Sequence, residues 1–333
     1  QAGEQVRITA QLIDAESGFH LWSETYERRL EDIFRVQDEI AAAIVAKLRI
    51  ELAPQEQALA VRDKAPTQNV QAYELYLQGR AAWKRRGEDN LKKAIDLYQR
   101  AIGLDPGFAR AHAALASAYV VLPGYTREEG DEAQFLRLAE TSARQALSID
   151  PNIGEAHAVL AQMNAQRGDL LDAESGFFFA ISLEPNDPTP HHWYSLLLNR
   201  VGRIDRALEQ ARRAQELDPT SGVIAANLAN TYLTKGDDEQ ALRYGRLARE
   251  LGNTKGAYGI ETTVAIRRGQ WDEARRTILL QETVPAELRE EARKFVDALA
   301  DPKLRPPLVA DMRAIDPKIS TQIDLVQPYV QLG

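Results

Sequence analysis

The chain of 333 residues contains no cysteine. A disulfide framework, a thiolate metal site and a cysteine nucleophile are therefore excluded. It also lacks any apolar run near the roughly 18 to 20 residues that a membrane span needs. No Gly-rich phosphate loop, Ser/His/Asp arrangement or HExxH pattern occurs, so none of those chemistries has a foothold. Positive charge is in deficit: the formal net charge is −8 and the pI about 5.4. That balance argues against broad nucleic-acid binding by this segment, which needs a basic face. No signal-peptide pattern is visible. The chain opens on Gln1 and enters a strand pattern almost at once, which reads as a fragment with residues missing upstream. What is present, 44% hydrophobic and 27% charged residues, marks a globular rather than a disordered chain.

The dominant signal is a period. Pro151, Pro185 and Pro219 stand 34 residues apart, and each interval holds two helical patterns separated by Gly168 or Gly202. Small residues recur at matching depth: Ala173 and Ala207, then Ala180 and Ala214. Alanine at such points lets helix B of a pair cross helix A closely. Leu160 and Phe177 are expected to fill the space between helices, and the prolines to close each second helix. One pair cannot bury its apolar face, so stacking is obligatory. This period and pairing resemble the tetratricopeptide repeat.

The pattern extends both ways from that stretch. Gly79, Ala94, Tyr98 and Ala101 mark a first repeat, with three extra residues assigned to its inter-helix turn. Ala116, Ala139 and Ala146 mark a second, with about 11 residues inserted between its helices, a figure set against the standard repeat length. Leu228, Ala229, Ala241 and Ala248 mark a fifth, and a degenerate sixth spans Ala257 to Leu280. Upstream, Val6–Asp14 alternates apolar and polar residues, and Phe19–Arg28 reads as its hairpin partner. A helix follows from Leu30 to about Leu52, its stripe made by Ile33, Val36, Ile40, Ile44 and Leu48. The expected organisation is residues 1–53 as the end of a small α/β domain, 54–69 a linker, 70–280 about six repeats, and 281–333 C-terminal helices and tail. The fold class is mostly α, a right-handed solenoid of helix pairs with an N-terminal hairpin and helix.

The stretch VRITAQLIDAESGFHLWSETYERRLEDIFRVQDEIAAAIVAKL resembles the end of the TolB-amino-terminal-like domain of a bacterial signalling family. YLQGRAAWKRR, from Tyr76 to Arg86, is similar to the way the first repeat begins there. In that family the domain precedes tetratricopeptide repeats and the whole follows an effector, commonly an adenylate/guanylate cyclase or a winged-helix domain. The resemblance implies regulatory or interaction work, with no enzyme activity in this segment, no catalytic residue carried over and no cofactor.

The A helices of such an array line a concave face. Counting from the small residue of each A helix, that face holds Tyr76, Arg80 and Trp83 in the first repeat and Ser117 in the second. Gln162 follows in the third, His192 and Asn199 in the fourth, and Asn230 in the fifth; Asn227 joins the candidates because, with Asn230, it falls near an Asn position of a terminal-carboxylate clamp. Aromatic, amide and cationic groups together suit an extended peptide or partner segment. The competing interpretation is a solvated helix face. A terminal-carboxylate clamp is not expected: beside Asn227 and Asn230, His192 and Ala226 stand where Lys is needed and Glu261 where Arg is needed. His191 and His192 diverge by about 100° on a helix and do not form a metal pair. Pro123, Gly124 and Tyr125 open the insertion, which is either a binding-face element or a tolerated loop. The expected function is a protein-interaction scaffold in the cytoplasm, without membrane span or metal. A homodimer through the hairpin edge and a small-ligand sensor are the alternatives.

Overall fold

The alanine period becomes a series of helix crossings. The computed structural model describes residues 5–13, 20–29, 39–40, 66–126, 132–281 and 284–304. Within these, β1 (Gln5–Ile13) and β2 (His20–Arg29) pair antiparallel, with Ile8 opposite Tyr26 and Thr9 opposite Thr25. Both strands fall within one residue of their expected bounds. Thr9 and Thr25 hydroxyls meet at 3.0 Å, and Arg7 pairs with Glu27 on the same face. The helix expected over 30–52 is described only at 39–40, where it is helical. Most of the 54–69 linker and the tail beyond Leu304 lie outside the described residues.

Two compact units divide between Val159 and Leu160. In the first, α1 (Val70–Arg85) packs on α2 (Glu88–Leu104), and α3 (Ala109–Val121) on α4 (Glu132–Ile149), with α2 also against α3. Helix α5 (Gly154–Arg167) begins there. The second unit continues with α6 (Leu170–Leu183), α7 (Pro188–Arg200), α8 (Ile204–Leu217), α9 (Gly222–Lys235) and α10 (Asp238–Glu250). It ends with α11 (Thr254–Arg267), α12 (Trp271–Leu279) and α13 (Ala286–Ala300). Neighbours in chain order pack in sequence from α6 to α13 by way of α7·α8, α8·α9, α9·α10, α10·α11 and α11·α12.

The B-helix alanines are fully enclosed: Ala94, Ala101, Ala139, Ala146, Ala173, Ala180, Ala207, Ala214, Ala241 and Ala248 all have 0% exposure. Phe177 is buried as expected, whereas Leu160 is half-buried. The prolines sit just past the helix ends. Asp105 and Asp218 are the C-caps, so each Asp–Pro pair forms the turn to the next repeat. Asp105 Oδ1 accepts from the Gly107 amide at 3.0 Å, and Asp150 Oδ1 from the Asn152 amide at 2.9 Å, satisfying the turn locally. Inside a repeat, Gly236 takes φ 87° and closes α9, with the Asp237 amide bonded to Tyr232 O at 3.0 Å.

One expectation is corrected. The three extra residues of the first repeat do not lengthen its turn, which is only Arg86–Gly87. They extend the helices, which have 16 and 17 residues against 14 and 14 in α5 and α6. Propagating a helix adds one backbone bond per residue, so extra residues of good propensity join it. In the second repeat the insertion is a real break: a 3₁₀ turn, Leu122–Gly124, anchored by buried Leu122.

Glycine reports which crossings are tight. A Cβ at Gly79 would stand 2.7 Å from Cδ1 of Tyr98, whose ring is fully buried and cannot swing aside. A Cβ at Gly103, also helical, would meet nothing within 4 Å. Gly103→Ala should therefore raise stability by about 0.5–1 kcal/mol through helix propensity. Gly79→Ala should lower it by about 1–3 kcal/mol, because overpacking outweighs the same propensity gain. Urea midpoints followed by circular dichroism check the opposite signs.

Candidate functional site

The A-helix residues are not a uniformly solvated face. In the first unit Tyr76 is half-buried and packs against Phe108, ring centroids 5.0 Å apart, and Tyr98 at 6.0 Å. It therefore joins the seam between α1, α2 and α3. Arg80 directs Nη1 to Glu155 Oε1 at 2.8 Å. The Ser117 hydroxyl donates to the same oxygen at 2.8 Å. One carboxylate, 5% exposed, thus ties together α1, α3 and α5. Trp83 is 6% exposed, with the Arg80 guanidinium 5.3 Å and the Arg86 guanidinium 3.6 Å from its ring centre. Cations so placed on an indole face are attracted by its quadrupole.

In the second unit His192 and Asn227 meet inside the protein, at 5% and 6% exposure. Asn227 Nδ2 donates to Ser195 Oγ at 2.5 Å and lies 3.2 Å from His192 Nδ1. Ser195 in turn donates to His192 O at 2.6 Å. Asn199, half-buried, donates to Thr231 Oγ1 at 2.8 Å. These pairs join α7 to α9, one A helix to the next. The amide oxygens of Asn199 and Asn227 have no hydrogen-bond partner among the described residues. Gln162 is half-buried on α5, and Asn230 is exposed on α9; neither belongs to the His192–Asn227 group. Glu261, where a carboxylate clamp has Arg, pairs with Arg249 at 2.6 Å.

Sequence reasoning missed two recurrent braces. His112, His157 and His191 each place Nε2 by the carbonyl of the proline six residues earlier: Pro106 at 3.1 Å, Pro151 at 2.9 Å and Pro185 at 3.2 Å. The Pro-x5-His spacing is readable three times in the chain. His191 adds Gln210 Oε1 at 2.7 Å from Nδ1. The second brace uses arginine at A-helix ends. Arg200 reaches Ala165 O, and Arg267 Nη1 reaches Leu233 O at 2.7 Å. Both set a cation on the last carbonyls of the preceding A helix, where the helix dipole favours positive charge. A further tie links α6, α7 and α8: Tyr194 donates to Glu174 at 2.7 Å, and Arg203 and Arg206 pair with the same carboxylate.

No group of three His, Asp or Glu is placed to hold a metal ion, and no helix is long and apolar enough to cross a membrane, among the described residues. Two shallow surface depressions lie beside Gln68–Gln71 with Asp105, and beside Gln270–Glu273, both away from the A-helix residues above. At the insertion, Tyr125 is 38% exposed and Thr126 donates to Glu88 at 3.4 Å.

Two tests follow from this placement. Asn227→Ala removes the buried amide that donates to Ser195 Oγ and should cost about 1–3 kcal/mol, whereas exposed Asn230→Ala should stay within about 0.5 kcal/mol; denaturant unfolding separates them. The Tyr194 hydrogen bond holds the Glu174 carboxyl below its usual range. Its contribution is therefore present above the unfolded pKa and lost as pH falls through the lowered folded value. Glu174→Gln should flatten the acid limb of a melting-temperature profile below about pH 5.

No protein-family model matches the chain. Over 116 residues, 35% of this chain, it is 39% identical to a protein of Rhizobium meliloti (strain 1021) provisionally named adenylate cyclase 3. The chain covers only 19% of that relative's length. Among solved structures, the human IFIT1 dimer with m7Gppp-AAAA matches with a TM-score of 0.54 and 18% identity, over 79% of this chain and 58% of that one. YrrB, a TPR protein with an unusual peptide-binding site, matches at 20% identity with a TM-score of 0.33, over 60% of this chain and 94% of that one. At such identities likeness speaks for fold alone. With the 34-residue period, the paired helices and the enclosed alanines, the chain has the tetratricopeptide-repeat type of fold, successive helix pairs in series.

Proposed function

We propose that this chain is a non-catalytic interaction region of a bacterial signalling protein, which receives an extended peptide or partner segment on its A-helix faces. The observation that carries the reading is the set of amides on α7 and α9. Asn199 and Asn227 are fixed by bonds to Thr231, Ser195 and His192, yet their oxygens lack donors among the described residues. Exposed Asn230 stands on the same helix as Asn227. A buried acceptor without a donor is costly, and a peptide N–H supplies one. Because the amides are already ordered, little conformational entropy is lost when a peptide arrives. The stretch similar to the cyclase-named relative supports a further step, in which occupancy is relayed to an effector domain of the parent protein. A cytoplasmic setting belongs to the same reading.

A second reading draws on the hairpin. Among the described residues β1 and β2 pair only with each other, leaving two outer edges that a second copy can extend. Sedimentation velocity decides it: a monomer at about 50 μM, a concentration far above that of a stable dimer's Kd, overturns the dimer.

The peptide reading is tested by panning displayed random peptides on the chain and measuring the enriched ones by fluorescence anisotropy. Micromolar binding is expected, and Asn199→Ala with Asn230→Ala should weaken it about tenfold or more. Binding left unchanged by the double substitution overturns the reading.

A further inference from the structure

The turn between α1 and α2 holds a cluster of donors that the repeat packing leaves unmet among the described residues. Arg86 adopts φ 55° there, the positive-φ non-glycine position among the described residues. With ψ −174° this lies outside the left-handed helical region, in one where glycine is nearly the sole occupant. The conformation aims its guanidinium back onto the Trp83 ring at 3.6 Å, while Arg80 approaches the same ring at 5.3 Å. Two cations therefore share one indole.

Among the described residues the charges do not balance. Arg80 has its counter-ion in Glu155, which also accepts from Ser117. Glu155 is the carboxylate that faces Arg86 as well, together with Tyr98, Tyr125 and Arg80. Among the described residues, two guanidiniums, Arg80 and Arg86, thus face one carboxylate, Glu155. Burial lowers the Arg86 guanidinium to about 10, with the neighbouring Arg80 acting in the same direction. Burial likewise pushes the Tyr98 phenol well above its ordinary range, so it stays protonated.

The hydrogen-bond inventory has the same bias. Arg86 Nη1, Trp83 Nε1 and the Tyr98 hydroxyl are buried with no hydrogen-bond partner among the described residues. Arg Nη1 and Trp Nε1 can only donate, and a protonated phenol donates readily. Native proteins seldom leave several donors unmet in one place, and each instance calls for an explanation. Two guanidiniums on one carboxylate, beside unmet donors, are complementary to an oxyanion. A second carboxylate matches that count, and a guanidinium fork has the planar geometry to grip one. Arg86 is half-buried.

We propose that Arg86, Trp83 and Tyr98, with Arg80 alongside, receive a carboxylate of the partner peptide. The proposal rests on the peptide-binding reading and adds that the partner is acidic at one position. The carboxylate comes from a side chain or from a C-terminus.

Indole N–H resonances read the site directly, since the chain has four tryptophans and Trp83→Phe assigns the signal of interest. The full chain is titrated at constant ionic strength with four probes: N-acetylglutamate α-amide, N-acetylalanine, N-acetylalanine amide and inorganic phosphate. The Trp83 signal should move saturably with the two carboxylates and not with the neutral amide. The tighter of the two carboxylates identifies the source. Arg86→Met should weaken the response about tenfold or more. Arg86→Lys, which keeps charge but loses the fork, should weaken it several-fold and serves if the methionine variant does not fold. No movement up to about 100 mM, where even a weak site responds, overturns the proposal. An equal response to the amide, tighter binding of phosphate than of either carboxylate, or an unweakened Arg86→Lys also overturns it. Selected peptides that bind without any response at Trp83 defeat this site alone. Carboxylates that bind where panning enriches no peptide defeat the peptide reading and leave the site standing.

Discussion

Methyl groups at helix crossings are the constraint on which this architecture turns. Ten alanines spread over five B helices are wholly enclosed, and at each one any larger side chain would force two backbones apart. Close approach then brings backbone and short polar groups of successive helices within hydrogen-bonding reach. The Ser195–Asn227 and Asn199–Thr231 bonds exist only because α7 and α9 lie so near. Gly79 plays the same part in the first repeat, where a flat tyrosine ring rather than a methyl group fills the gap. The polar features of the A helices are thus a product of apolar packing, and would be lost if the crossings loosened.

Much of this was written plainly in the residues, because spacing is what fixes a crossing. The alanine and proline period placed the helix pairs, and the alternation of Val6, Ile8, Ala10 and Leu12 placed β1. What the period could not convey was the partner of each polar side chain. His192 occupies a position that a one-helix count turns toward the open face, but Asn227 of the neighbouring A helix meets it and the two are buried together. Helix periodicity describes one helix in isolation, whereas burial depends on its neighbour. The first-repeat turn misled for a related reason: extra residues were counted correctly, but only the backbone shows that they wind into α1 and α2. Arg86 escaped notice because nothing in a run of basic residues marks which one folds back.

The braces between repeats divide into two kinds with different physics. The His–Pro carbonyl contacts at 106, 151 and 185 act within the turn that joins one repeat to the next, setting the entry of each A helix. The arginines at 200 and 267 act across neighbours, completing carbonyls that a helix end otherwise leaves to water. The fourth repeat has both kinds, through His191 and Arg200. Its α7 is accordingly rich in buried residues, from Thr189 through Ser195.

Several ties in the second unit span about one repeat: 32 residues for Asn199–Thr231, 35 for Arg200–Ala165 and 34 for Arg267–Leu233. Such a series resembles a zip, which can open from an end tooth by tooth. Arg80–Glu155 is different, for it spans 75 residues and leaps over a whole helix pair, picking up Ser117 on the way. That stitch fastens three pairs into one panel. The opening of α1 takes Arg80 away from Glu155, so the leading edge cannot peel away without loosening the cloth behind it, at α3 and α5.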